Sequence, residues 1–179
     1  CEGAIMRLHD TPAHEQDISD AQRVCDLLEM QLHVFDFREI FRKTVIDNFV
    51  QQYQQGATPN PCIRCNTELK FGQFLQSAQQ LGADFIATGH YAQIEYDSQK
   101  NRFLLKKAQD PTKDQSYVLY SLTQHQLAHT LFPLGTLTKE QIRTIAAEQG
   151  FINAAKRDSQ DICFIPDGKH ADFIQNYTH

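Results

Sequence analysis

Residues 1–91 alternate between two kinds of apolar pattern, and this alternation restricts the fold more than any other feature. "CEGAIMRL" and "LHVFDF" are strand-like runs, and "ADFIATGHY" is a buried strand running into Gly89. Helical stretches lie between them. Ile18, Ala21, Val24, Leu27 and Leu28 share one stripe, with Ser19 and Gln22 set as a capping box at that helix's start. "FRKTVIDNFVQQYQQG" is a second helix, ended by Gly56. "TELKFGQFLQSAQQLG" is a third, with Phe71, Phe74, Leu75, Ala78 and Leu81 inward and Gly82 at its close. The order strand, helix, strand, helix, helix, strand predicts a parallel sheet with helices on its faces.

The pattern then changes. "YAQIEYDSQKNRFLLKKA" alternates apolar and polar residues on both sides of a turn, as an antiparallel hairpin does. "SYVLYSLTQHQLAHTLFPLG" reads as helical, and "LTKEQIRTIAAEQG" as a helix with Thr138 and Gln141 as a capping box. The tail "AAKRDSQDICFIPDG" is polar loop around one short apolar run. Pro and Gly cluster at Phe132–Gly135, which sets a soft boundary there.

Composition narrows the class. A chain of 179 residues, 41% hydrophobic, buries a real core in one or two domains. No apolar run approaches the roughly 20 residues of a membrane span, and no signal peptide opens the chain, so no membrane partner is expected. The net charge is −5 and uneven: residues 1–60 carry ten acids and five bases, and the remainder twelve of each. That balance excludes a generic polyanion binder and leaves nucleic-acid contact to a local patch. Five cysteines with a single C-x-x-C argue against a secreted disulfide scaffold and for a reducing cytoplasm. The start at Cys1 without a Met reads as a fragment.

"NPCIRCN" puts Cys62 and Cys65 behind Pro61, in the loop "ATPNPCIRCN", whose prolines argue against regular helix. Structural zinc wants a second pair, and a thioredoxin-type pair wants a preceding strand. Two incidental thiols are a further reading. Cys65, placed just before the first turn of the helix over 69–81 and beside Arg64, has a nucleophile's setting without any metal. Cys25 reads as a small core residue. Cys163, flanked by Ile162 and Phe164, reads on its residues alone as a packed strand position. Lys106, Lys107, Lys113 and the Lys156–Arg157 pair are candidates for phosphate contacts. His90 reads as a hydrogen-bonded structural histidine.

Six segments, "GAIM", "ATPNPCIRCNTELKF", "LGADFIATGHYA", "KDQSYVLYSL", "LFPLG" and "DSQDICFIPDG", in this order, resemble the tRNA-specific 2-thiouridylases. The resemblance covers nearly the whole chain. It implies a Rossmann-like α/β ATP-pyrophosphatase domain over 1–134 and the start of a central tRNA-binding domain over 135–179. It implies Cys65 as nucleophile and Cys163 as the persulfide carrier. Asn60, Pro61 and Cys62 would meet the target base, Lys113, Asp114 and Gln115 would contact tRNA, and Met6 and Gly89 would line the ATP site. The placement of Gly89 agrees with the pattern itself, since α/β sheets bind ligands beyond the carboxyl ends of their strands.

The activity implied is ATP-dependent 2-thiolation of the wobble uridine of tRNA, with ATP and Mg2+, and with a persulfide sulfur-donor protein as partner. Two departures stand out. Many members carry Asp where this chain has Cys62, so Cys62, Cys65 and Cys163 form an alternative ligand set for a [4Fe–4S] cluster. The family's S-G-G-x-D-S phosphate loop and its C-terminal β-barrel are not in the sequence, which would leave this chain alone inactive. A non-enzymatic metal- or RNA-binding module that keeps the fold is the alternative reading.

Overall fold

In a computed structural model, which describes residues 1–152, 154, 162–165 and 168–178, the chain divides into two compact units. One joins residues 1–62 to 151–179, and the other is 63–150.

The first unit opens with β1 (Gly3–Arg7), α1 (Pro12–Leu27) and β2 (Leu32–Asp36). β1 and β2 pair in parallel, Gly3 against Leu32 through Arg7 against Asp36, as the strand–helix–strand order predicts. Thr11 caps α1: its Oγ1 accepts from the His14 backbone N–H, and Pro12 stands where its missing N–H is no loss. Ser19 and Gln22 are therefore mid-helix, and the capping box expected there is corrected. The early His14 and Asp17 turn carries too few apolar residues to advertise itself as helix. Cys25 is buried against Gly3, where a Cβ would lie 2.3 Å from its sulfur. That contact fixes a glycine on β1 opposite a core thiol.

α2 (Arg38–Phe41) leads through a wide-turn π segment (Arg42–Ile46) into α3 (Asp47–Gln54). Gly56, at φ +82°, follows the end of α3. Phe49, Val50 and Ile165 form a core, joined by Ile162, Phe164 and, from α8 (His170–Thr178), Phe173, Ile174 and Tyr177.

The second unit carries most of the helix that begins as α4 (Pro61–Arg64), continues as a π segment (Cys65–Phe74) and ends as α5 (Leu75–Gln80). Thr67 Oγ1 donates to the Ile63 carbonyl at 2.9 Å. A Cβ on Gly72 would sit 3.0 Å from the Thr67 carbonyl oxygen, so the wide turns keep a glycine there. Phe71, Leu75 and Ala78 face the core and Phe74 packs partly against it. Leu81, expected inward, is exposed, because the helix has ended at Gln80.

β3 (Ile86–Ala87) is shorter than the sequence predicts, and it pairs in parallel with β6 (Thr130–Leu131). The stretch 116–135 is thus corrected: it holds a 3-10 turn (Ser116–Val118), the short helix α6 (Gln124–Ala128) and a strand, not one helix. Val118, Leu119 and Leu122 are spaced for a helix face, but they enter the core from turns. The hairpin is as expected, β4 (Ala92–Asp97) antiparallel to β5 (Arg102–Lys107). α7 (Lys139–Glu148) has the capping box read from Thr138 and Gln141. Gly135 is held to glycine by close approach, since a Cβ there would lie 1.8 Å from the Ala92 carbonyl oxygen.

Candidate functional site

The N-P-C-I-R-C-N stretch is not loop throughout. Asn60 precedes the helix and accepts the Cys62 backbone N–H on Oδ1 at 3.0 Å. Pro61 is buried at the first helical position, where a proline is tolerated. The expectation that these prolines exclude helix is corrected, because Pro61 starts the helix. Cys62 lies in the first turn and is exposed, while Cys65 lies a turn further in and is 8% exposed. Pro61 has no N–H and the Cys62 N–H is taken by Asn60, so the start of the helix lies at 61–64, and Cys65 is inside the helix, not before it.

The turn that carries Cys65 is tied within its own unit. Asn66, 2% exposed, donates Nδ2 to the Val118 carbonyl at 3.2 Å, and Thr67 Oγ1 meets Ser121 Oγ at 2.5 Å. The Asn66 Oδ1 acceptor is buried with no protein donor among the described residues. Sequence reading missed this buried polar group, and its signal was a polar side chain on the inward face of an apolar stripe.

Cys163 belongs to the other unit. It is exposed in a turn closed by the Ile165 N–H donating to the Ile162 carbonyl at 2.8 Å. Its neighbours anchor that turn: Ile165 is 1% exposed, and the Phe164 ring lies edge-on to Phe41 and Phe49 at 5.7 and 5.4 Å. The packed strand position expected for it is corrected. The alternation Ile-Cys-Phe-Ile reads as strand, but here the apolar residues are pins that hold a turn with the thiol outward.

Met6 is half-buried on β1 opposite Phe35. Around the carboxyl ends of β1 and β2 lies a charged network absent from the sequence reading. Arg38 bridges Asp36 and Asp10, and Arg7 pairs with Glu15 and, at 3.3 Å, Asp10. Hydrogen bonds from Arg38 hold Asp36 down to about 2. Gly89, in the other unit, is exposed two residues past β3; a Cβ there would meet only Leu134 Cδ1, at 3.6 Å. His90 beside it is buried, with Nδ1 2.8 Å from Thr88 Oγ1 and its ring against Phe71 and Phe132. Burial, with help from the Lys70 charge, lowers its pKa to about 3, so it is neutral at physiological pH.

Asp114 and Gln115 are engaged in their own loop. Asp114 accepts from the Ala108 N–H at 2.8 Å and from Ser116 Oγ at 2.7 Å. Burial alone would raise its pKa, but these hydrogen bonds and the Lys107 charge hold it below the usual value. Gln115 bonds Tyr91 twice, N–H to carbonyl at 2.8 Å and Oε1 from N–H at 2.9 Å. The Lys113 N–H donates to the Asp110 carbonyl. Lys106 pairs with Glu95, and Lys107 is exposed. Lys156 and Arg157 lie outside the described residues. Among the described residues no group of three or more His, Cys, Asp or Glu side chains is gathered to hold a metal ion, and no helix is long and apolar enough to cross a membrane.

Comparison with known proteins places the chain in a family. The chain is 51% identical over 159 residues to the tRNA-specific 2-thiouridylase MnmA of Moorella thermoacetica, covering 89% of this chain and 44% of that protein. It is 52% identical over 166 residues to the protein of the same name from Geotalea uraniireducens, covering 93% and 44%. The Treponema denticola protein of that name gives 52% over 160 residues, covering 88% and 44%. The chain thus spans less than half the length of these relatives. A family model described as the tRNA methyl transferase HUP domain matches residues 2–167. That model is of a Rossmann-like α/β domain with parallel strands and flanking helices, in keeping with β1–α1–β2, and the chain belongs to the tRNA methyl transferase HUP domain family.

Proposed function

We propose that the protein is a tRNA-uridine 2-sulfurtransferase, which places sulfur on C2 of the wobble uridine at the expense of ATP. The observation that carries this is identity of about half over some 160 residues to proteins named tRNA-specific 2-thiouridylase. The matched span holds Cys62, Cys65 and Cys163.

The chemistry needs the parts assigned by resemblance. Uridine O2 attacks the α-phosphorus of ATP and pyrophosphate leaves, so that C2 bears a good leaving group. Met6 and Gly89 would line the nucleotide site in this reading, and a bound Mg2+ would supply charge neutralisation at the phosphates. A sulfur-donor protein leaves a persulfide on Cys163, whose exposed, anchored turn suits delivery from a partner. The outer sulfur attacks C2, and AMP departs with the oxygen. Cys65 thiolate then attacks the Cys163 sulfur. The S–S bond breaks, C2 keeps the outer sulfur as thiocarbonyl, and a Cys65–Cys163 disulfide remains for an external thiol to reduce by two electrons.

Asn60, Pro61 and Cys62 form the rigid helix start that meets the base. Lys113 offers charge to the tRNA backbone, while Asp114 and Gln115 hold that loop in shape. Residues 1–134 are assigned to the catalytic domain and 135–179 to the start of a tRNA-binding domain, in a cytoplasmic enzyme. The sulfur route uses only the thiols of Cys65 and Cys163 and needs no [4Fe–4S] cluster on Cys62, Cys65 and Cys163.

Cys65→Ser in the intact gene product tests the proposal. It is expected to abolish 2-thiouridine formation, measured by nucleoside mass spectrometry, with tRNA affinity unchanged. Thiolation near the wild-type rate would overturn the role of Cys65. A wild-type protein that binds tRNA and never thiolates it would instead be a binding module.

A further inference from the structure

The hairpin of the 63–150 unit carries a feature that none of the assigned residues explains. Tyr96, Lys100, Arg102, Phe103, Gln124 and His125, with Asn101, line one open depression of about 690 Å³. Tyr96 and Phe103 face each other across β4 and β5 in register, with ring centroids 5.0 Å apart. Tyr96 is 51% exposed, a large aromatic left facing solvent, and its hydroxyl is held by Asn101 Oδ1. The floor is built, not incidental: Gln124 Oε1 accepts the Phe103 N–H at 2.8 Å, and its Nε2 donates to the Phe103 carbonyl at 3.0 Å. That two-way clamp fixes the start of α6 against β5.

The charge is one-sided. No carboxylate lines the depression, although the chain as a whole carries a net charge of −5. Lys100 pairs with Asp97 at 3.3 Å, but the lysine side chain is itself 67% exposed, so its ammonium can also meet an incoming anion. Arg102 is exposed and in none of the ion pairs found among the described residues. An exposed ring beside cations in a carboxylate-free hollow is the composition that takes an unpaired nucleotide: the base stacks, and the phosphate meets the cation.

We propose that this depression is an RNA-binding subsite for one unpaired nucleotide, with the base stacked on Tyr96 beside Phe103 and the phosphate held by Arg102 and Lys100. It rests on the reading of the protein as a tRNA enzyme only in the choice of RNA as the polymer. A ring and two cations carry little base discrimination, so the subsite grips the strand without selecting the sequence.

The test uses the intact gene product with a fluorescein-labelled single-stranded oligouridylate, followed by anisotropy across a salt series. Tyr96→Ala is expected to weaken binding at least about 5-fold, the low end of a base stack. Tyr96→Phe, which keeps the ring and loses the Asn101 bond, is expected to bind like wild type. Arg102→Ala is expected to flatten the log–log salt slope by about 0.7, the value of one phosphate contact on a single strand. Tyr96→Ala binding as tightly as wild type, or duplex RNA competing as well as single strand, would overturn the subsite. So would the absence of any oligouridylate binding. Thiolation by the wild type is measured alongside. A thiolating enzyme whose Tyr96→Ala form binds normally refutes the subsite alone, and a non-thiolating protein whose Tyr96→Ala form loses RNA refutes the enzyme reading alone.

Discussion

At the scale of single residues, His90 shows how environment decides a role that composition leaves open. Its sequence position beside Gly89 suits a catalytic base as well as a structural group. Its burial against Phe71 and Phe132 holds the ring neutral, with a pKa near 3 in place of 6.5. The sign follows from proton counting. Between pH 6.5 and about 3 the unfolded chain binds a proton on this imidazole that the folded chain does not. Stability from His90 is therefore full above pH 6.5 and lost as pH falls, at up to about 1.4 kcal/mol per pH unit. Over pH 7 to 5, where carboxylates still contribute little, the melting temperature of wild type is expected to fall more than that of His90→Gln. Parallel thermal melts of the two proteins check this, and equal slopes would remove the buried neutral imidazole. Cys163 gives the complementary lesson, since its flanking apolar residues were legible but their use as pins for an exposed turn was not.

Elements were legible where their signals are local. The Thr138–Gln141 box lies on α7 as read, with both reciprocal bonds formed. The Ser19–Gln22 pair matches the same spacing yet sits inside α1, because Thr11 with Pro12 starts that helix earlier. The spacing alone cannot tell the two cases apart; a proline behind a hydroxyl residue does. The same logic explains the helix start at Asn60–Pro61, where a proline was taken as a breaker when it stands at the one helical position that welcomes it. Thr138→Ala is therefore expected to cost about 1 kcal/mol of stability, the value of a lost cap. Ser19→Ala is expected to cost nothing and to add a few tenths through helix propensity. Chemical denaturation of both variants settles it, and equal losses would contradict the cap positions. Strand β6 was hidden for the opposite reason: Thr130 and Leu131 are too few to show a period, and their pairing with β3 reaches back 44 residues.

At the scale of the molecule, what could not be read is which distant segments share a core. Parallel strands with intervening helices follow from local periods, but the joining of 162–178 to α2 and α3 does not. The Tyr177 hydroxyl donates to Asp47 Oδ1 across 130 residues of sequence, and Ile165 is buried with Phe49 and Val50. No pattern in either segment names the other, so the second apolar run around Cys163 looks like an isolated fragment of strand. Among the described residues, one apolar cluster gathers around Phe49 and another around Leu119. Phe49 is 1% exposed, and truncating a fully buried phenylalanine costs about 3–5 kcal/mol. In Phe49→Ala that loss falls on one cluster. Native-state hydrogen exchange by mass spectrometry is expected to show protection lost in peptides from 38–54 and 162–178, while peptides from 69–80 and 124–132 keep theirs. Loss of protection by the same amount in all four would mean that the two clusters unfold as one cooperative body. A selective loss would mean that the turn bearing Cys163 can open while the Cys65 helix stays folded, a freedom that suits the persulfide role proposed for Cys163.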